Sequence, residues 1–300
     1  MSVSVASVTL PGGVSVFYRE AGDVSAPTIL LLHGFPSSSH QFRHLIPILA
    51  ERYHVVAPDY PGFGFSKVPA SIDFTYTFES LTDTVESFLD VKGIKTFVPY
   101  IFDYGSPVGL RLALRRPQAI PAIISQNGNA YMEGFGQAFW APIFALWKAS
   151  TPAEIAAASA PIREAALTLE GFRSQYWTGS IDPNKVEPES YWLDYALVDR
   201  PGNREIQLGL LRDYASNIEL YPKFQAFFRD RRPHLLAVWG EDDIIFVLAG
   251  AEAFRKDLPD AEVHFLKAGH FPLETNLHEV ASLMLNFLHE RVDTPQGSRA

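Results

Sequence analysis

The stretch 97–116 (FVPYIFDYGSPVGLRLALRR) places an acidic residue where a hydrophobic run ends and a helical pattern begins. Gly105 and Gly109, with Leu110 and Leu114, follow Asp103 at spacings that suit a very tight turn leading into a helix. A nucleophile set on such a strand-turn-helix junction is thrust out of the chain, and small neighbours are needed because the turn is sharp and strained. Ile101, two residues before Asp103, stands where such a turn usually has glycine. The aspartate has two readings. Its side chain can cap the helix that follows. Alternatively, its carboxylate can attack an sp³ carbon and form an alkyl ester, dividing one hard displacement into two easier steps. A serine would suit acyl transfer instead. These residues alone leave both readings open.

The elements that must position Asp103 alternate along the first part of the chain. Residues 3–10 and 14–20, separated by Pro11, Gly12 and Gly13, read as an antiparallel hairpin. Residues 28–32 (TILLL) form a continuous apolar run, as in a strand buried on both faces, and lead straight into His33, Gly34, Phe35 and Pro36. A helix is expected over 41–52, a strand over 54–59, a glycine-rich turn over 60–66, a helix over 78–90 and a strand over 120–126. Strand and helix in alternation predict an α/β fold: a mostly parallel central sheet with helices on both faces.

From residue 129 to 222 the alternation gives way to a helical, aromatic-rich stretch that includes Trp140, Trp147, Tyr176, Trp177, Tyr191, Trp192 and Tyr214. It reads as an inserted helical cap, and packing its own small core is the ordinary role for most of these rings. Strand signals return at 234–239 and 261–266, followed by an amphipathic helix over 277–291 and a polar tail, 294–300, expected to be disordered. The expected organisation is therefore a core of residues 1–128 and 223–293 with a cap of residues 129–222.

Composition narrows the function classes. A net charge of −9 over 300 residues argues against binding nucleic acid by phosphate neutralisation. The absence of cysteine removes disulfides, thiolate metal sites and cysteine nucleophiles. The first ten residues lack the positive start and apolar core of a signal peptide, and no apolar stretch approaches the ~20 residues that span a bilayer. A cytoplasmic location without a membrane partner is expected; oligomeric state is not legible.

Four ordered pieces carry a family resemblance: residues 33–36 (HGFP), 59–66 (DYPGFGFS), 102–105 (FDYG), and 239–243 (WGEDD) together with Gly269, His270 and Phe271. Each is weak alone, but all four fall in order at the ends of expected strands. The chain resembles the α/β-hydrolase superfamily, specifically its aspartate-nucleophile branch of epoxide hydrolases and haloalkane and haloacetate dehalogenases. The resemblance implies that Asp103 is the nucleophile, that His270 activates the hydrolytic water, and that Asp243 orients His270. Glu241 and Asp242 compete for the last role, and the family spacing from Gly240 selects Asp243. The alternative family position for the acid, at 126–129 (QNGN), holds no carboxylate.

The resemblance also implies an oxyanion hole made by the backbone N–H groups of Phe35 and Tyr104, and no cofactor or metal. Tyr214, near the cap's return, resembles a tyrosine that epoxide hydrolases use as proton donor and haloacetate dehalogenases use to bind halide. Trp140, Trp147 and Tyr176 are further candidates for contacting the leaving group or substrate. Phe35 and Tyr104 replace the asparagine and tryptophan that hold halide in many haloalkane dehalogenases, so a small apolar epoxide, with water as co-substrate, is the expected substrate. A halogenated substrate is the alternative, and a non-catalytic small-molecule binder is the third reading.

Overall fold

A computed structural model describes residues 2–293, so the tail 294–300 lies outside the described residues. The apolar runs form the middle of an eight-stranded sheet. Its strands are β1 (Ser4–Thr9), β2 (Ser15–Ala21), β3 (Thr28–Leu32), β4 (His54–Pro58), β5 (Val98–Phe102), β6 (Ala122–Gln126), β7 (His234–Gly240) and β8 (Glu262–Leu266). Their spatial order is β1-β2-β4-β3-β5-β6-β7-β8. The pairs β1/β2 and β2/β4 are antiparallel; the other five are parallel. Strands β4, β5 and β6 are buried along their whole length, whereas the edge strands β1 and β8 alternate or stay half-buried. This is the burial expected of a parallel sheet covered on both faces. Ile29, Leu30, Leu31 and Leu32 have no exposed surface, each worth about 1.5–3 kcal/mol of hydrophobic stabilisation.

Strand β3 has β4 on one side and β5 on the other. The chain thus reverses direction across the sheet at β3, and the loops leaving β3 and β5 meet in the crevice where open α/β sheets hold ligands. The flanking helices of the first half are α1 (Leu45–Leu49), α2 (Phe78–Val91) and α3 (Gly105–Arg115). The helix expected over 41–52 is a 3₁₀ turn, Ser39–Phe42, followed by the short α1. Pro47 fits the late start: with no N–H to donate it is best accommodated in a helix's first turn, which is where it sits in α1.

Residues 127–233 add no strand to the sheet. They form α4 (Gln137–Lys148), α5 (Pro152–Ala165), α6 (Leu169–Trp177), α7 (Pro188–Val198), α8 (Asn203–Asp213) and α9 (Ala215–Arg231). Thr151 caps α5 and Thr168 caps α6, each accepting a backbone N–H three residues on. The boundary expected at 222/223 falls inside α9, which continues through Pro222 while burying Tyr221, Phe224, Phe227 and Phe228. Helices α10 (Leu248–Asp257), α11 (Pro272–Thr275) and α12 (Leu277–Leu288) complete the fold. Arg43 ties the helical layer to the sheet half, donating to Glu187 and Ser190 on one side and to Glu274 on the other. Among the described residues, no helix is long and apolar enough to cross a membrane.

Candidate active site

Asp103 occupies the turn between β5 and α3 with φ +48°, in the left-handed region that non-glycine residues seldom enter. The turn can be this tight because α3 begins with glycine: a Cβ on Gly105 would lie 2.2 Å from the carbonyl oxygen of Leu32. Ile101, unusual before such a turn, fits because Gly109 leaves room; a Cβ there would lie 2.5 Å from Ile101 Cγ2. Gly34 is equally constrained, since its Cβ would lie 2.3 Å from that of Asp103. The loop after β3 therefore comes close enough for the Phe35 N–H to donate to Asp103 Oδ1 at 2.7 Å. The Tyr104 N–H lies beside the same carboxylate and, like that of Phe35, favours its charged form. The two amide groups anticipated for an oxyanion hole thus converge on one carboxyl group.

His33 holds the loop in place. Its Nδ1–H donates to the Gly34 carbonyl at 3.1 Å and its Nε2 accepts the Tyr60 N–H at 3.2 Å. Burial pushes its pKa down to about 3, so the ring is neutral and the two bonds persist. Asp59 does comparable work under the glycine-rich turn, accepting the N–H groups of Ser39 at 2.7 Å and Phe65 at 2.8 Å. These two motifs brace the loops after β3 and β4 next to Asp103.

On the other side of Asp103, the loops after β7 and β8 bring Asp243 and His270 together. His270 Nδ1–H donates to Asp243 Oδ2 at 2.8 Å, and because a carboxylate can only accept, the proton sits on Nδ1. His270 Nε2 carries the free lone pair. It is buried, has no hydrogen-bond partner and lies 3.8 Å from Asp103 Oδ2. Asp243 Oδ1 accepts the N–H groups of Ile245 at 2.7 Å and Phe246 at 3.2 Å. Glu241 is elsewhere, paired with Lys267.

Burial pushes the Asp103 pKa up to about 6, against the downward pull of His270 and the two N–H groups; Asp243 adds to the rise. Burial alone would lower the His270 pKa, but Asp243, by charge and hydrogen bond, and Asp103 outweigh it and raise it. Such an arrangement can hold an ionised aspartate beside a histidine able to take a proton from water.

Sequence reasoning missed Asn127. Its Nδ2–H donates to Asp243 Oδ2 at 2.6 Å, and its backbone has φ +49°. The lack of a carboxylate at 126–129 bears only on where the acid lies, yet asparagine before glycine at a strand end also signals a left-handed turn. Among the described residues, no group of three or more His, Asp or Glu side chains is arranged to hold a metal ion.

A cavity of about 340 Å³ opens above Asp103. Phe35, Asp103, Tyr104 and Ile245 form its floor, and Trp140, Ile143, Ile162, Gln175 and Leu211 belong to the walls supplied by α4, α5, α6 and α8. Among the four candidates for contacting the leaving group, only Trp140 lines it. The Trp140 indole N–H, however, donates to the Ile245 carbonyl at 2.9 Å, so the residue offers a ring face and no donor. Trp147 lies behind the wall, with its N–H on the Leu211 carbonyl at 2.8 Å. Tyr176 also lies away from the cavity. Its hydroxyl donates to Asp194 Oδ2 at 2.5 Å and its ring stacks on Phe271 at 3.9 Å. All three of these donors are engaged within the protein, because buried N–H and O–H groups far from solvent take whatever acceptor the fold supplies.

Tyr214 is fully buried and does not line the cavity surface. Its ring packs among Phe78, Tyr104, Trp140 and Trp147, and its hydroxyl has no hydrogen-bond partner. Burial chiefly raises its pKa well above the ordinary tyrosine value, and the charge of Asp103 contributes. The neighbouring Tyr221 hydroxyl adds to the rise.

The sequence of residues 27–277 matches the family model described as the alpha/beta hydrolase fold. An uncharacterized hydrolase of Saccharomyces cerevisiae is 45% identical over 285 residues, covering 94% of this chain and 96% of the yeast protein. A haloalkane dehalogenase of Bradyrhizobium diazoefficiens is 36% identical over 121 residues, 40% of this chain and 36% of that enzyme. In structure, a haloalkane dehalogenase of Bradyrhizobium elkani superposes with a TM-score of 0.76 at 23% identity, covering 96% of this chain and 98% of that one. At that identity the likeness concerns the fold. With the matching model spanning the sheet, the turn that bears Asp103 and the loop that bears His270, this chain belongs to the α/β-hydrolase fold family.

Proposed function

We propose that this hydrolase opens small, neutral, apolar epoxides to vicinal diols through an ester formed on Asp103. The observation that carries the reading is the buried, unpartnered Nε2 of His270, 3.8 Å from Asp103 Oδ2, with Nδ1 held on Asp243. In this scheme Asp103 Oδ2 attacks the less hindered ring carbon, the C–O bond breaks, and the ring oxygen leaves as an alkoxide that takes a proton. His270 then removes a proton from water, whose oxygen attacks the carboxyl carbon of Asp103. Negative charge develops on Oδ1, where the N–H groups of Phe35 and Tyr104 stabilise it. Collapse releases the diol as its oxygen takes the proton from His270, and the carboxyl proton left on Asp103 returns to the donor of the first step, which regenerates the carboxylate. The helices from α4 to α8 act as the cap that excludes bulk water.

Epoxide is favoured over halide by the state of the donors. Both tryptophan N–H groups are already bonded to backbone carbonyls and are not free to hold a halide, whereas Tyr214, packed behind Tyr104 and Trp140, puts a hydroxyl within the electrostatic reach of Asp103 that meets a leaving oxygen once those two rings part. A phenol can give its proton to an alkoxide, while halide departs as an ion and needs only to be held. Dehalogenation by the same nucleophile is the second reading, supported by the haloalkane dehalogenase relatives. A non-catalytic binder fits less well, because binding alone requires no histidine aimed at a carboxylate.

The test incubates the protein with terminal epoxides and haloalkanes and measures diol and halide release side by side. In parallel, His270→Gln should accumulate substrate on the peptide containing Asp103, because attack survives while hydrolysis stops. Halide without diol would give the dehalogenase reading. Neither product, and no adduct, would leave the binder.

A further inference from the structure

We infer that Gln175 is a specificity-determining residue that selects substrates bearing a neutral hydrogen-bonding oxygen, a hydroxyl, ether or carbonyl, on an otherwise apolar body. The inference rests on the hydrolase reading for its choice of substrates. It starts from the polar groups that line the cavity. Asp103 Oδ1 holds the Phe35 N–H, the Trp140 N–H holds the Ile245 carbonyl, and the Ser174 hydroxyl donates to the Gly171 carbonyl at 2.8 Å. The Tyr104 hydroxyl is sealed in the protein. Gln175 differs from all of these. It is only 7% exposed and lines the same cavity as Asp103, and its amide makes no hydrogen bond among the described residues.

The amide is also held in position. Thr168 caps α6 through the Gly171 N–H at 3.0 Å. One turn before Gln175, Phe172 meets the ring of Phe35 edge-on at 5.6 Å, and Tyr176 stacks on Phe271. Residues three apart share a helix face, so Gln175 is carried on a helix anchored to both loops that flank Asp103. A leucine or methionine would fill the same volume without presenting a donor and an acceptor to the cavity. An amide fixed there can donate to an oxygen and accept from a hydroxyl. Among the described residues no Lys, Arg or His side chain lines the cavity, so the oxygen it reads belongs to a neutral group rather than a carboxylate.

The experiment compares benzyl glycidyl ether with 5-phenyl-1,2-epoxypentane, which differ by an oxygen in place of a methylene. Wild type should favour the ether in kcat/KM by about five- to tenfold, the usual worth of one uncharged hydrogen bond. Gln175→Leu and Gln175→Met should bring the ratio near one, mainly by slowing the ether. A second arm measures equilibrium binding of the unreactive pair benzyl propyl ether and pentylbenzene to the same three proteins, with melting curves to establish folding. If no epoxide is opened, the hydrolase reading fails, but an ether preference in binding that both variants lose still supports the role of Gln175. A preference that is absent in wild type, or unchanged in both folded variants, overturns it.

Discussion

The loop after β7 and the helical layer opposite it both bury polar groups, but in different states. Asp243 receives four hydrogen bonds, from His270, Asn127, Ile245 and Phe246. Across the cavity, Gln175 bonds to nothing among the described residues, Tyr214 keeps a free hydroxyl, and Asp194 is bonded by Tyr176 through one oxygen while the other has no partner. Burial pushes the Asp194 pKa up to about 8, with Glu274 adding to the rise and Tyr176 opposing it. A saturated network has one geometry. An unsaturated one either sheds its charge, as Asp194 does at neutral pH, or retains bonding capacity for something that enters. The fixed half therefore suits chemistry that is the same for every substrate, and the open half suits discrimination among substrates.

Breaking the comparison at its centre should have the largest effect. Asp103→Asn should abolish turnover by at least about 10³-fold, the scale of loss when a covalent nucleophile is removed. It should also stabilise the fold. The folded carboxyl keeps its proton up to about pH 6, whereas an unfolded aspartate releases it near ~3.9. Native stability is therefore lost as pH rises through this window, and the penalty is complete above it. Replacing the carboxylate should return roughly 1–3 kcal/mol at pH 7.5 and almost nothing at pH 4, in denaturant titrations at both values. Equal gains at both pH values would mean that charge burial is not the cause.

The next test concerns the open half. Tyr214→Phe removes only the hydroxyl, and loss of a transition-state donor should slow alkylation of Asp103 by an epoxide about 10²-fold in single-turnover kinetics. An unchanged rate would make Tyr214 a packing residue of the Phe78, Trp140 and Trp147 cluster. A smaller effect is expected in the saturated half, where one bond of four is lost. Asn127→Gly keeps the freedom to adopt φ +49° while deleting the amide. It should lower the rate of ester hydrolysis about tenfold, near the worth of a single charge-assisted hydrogen bond, with little effect on alkylation. Equal losses in both steps would indicate that Asn127 supports the β6 turn rather than His270.

Much of the scaffold could be read from local pattern. The run at 28–32 is β3 to the residue, the strands expected at 54–59 and 234–239 lie within one residue of β4 and β7, and Gly105 and Gly109 mark the turn at Asp103. Buried parallel strands and tight turns advertise themselves because each depends on a few adjacent residue types. The meeting of Asp103, Asp243 and His270 was anticipated only through family resemblance, since residues 103, 243 and 270 are far apart in the chain. Which aromatic donor faces the cavity was decided by tertiary structure alone. Trp140, Trp147 and Tyr176 offer the same N–H and O–H groups in sequence, and only packing determines that the nearest acceptors are Ile245, Leu211 and Asp194. Gln175 gave no sequence signal because an amide in a helix is ordinary; its isolation exists only once α6 is laid over the loop of Phe35.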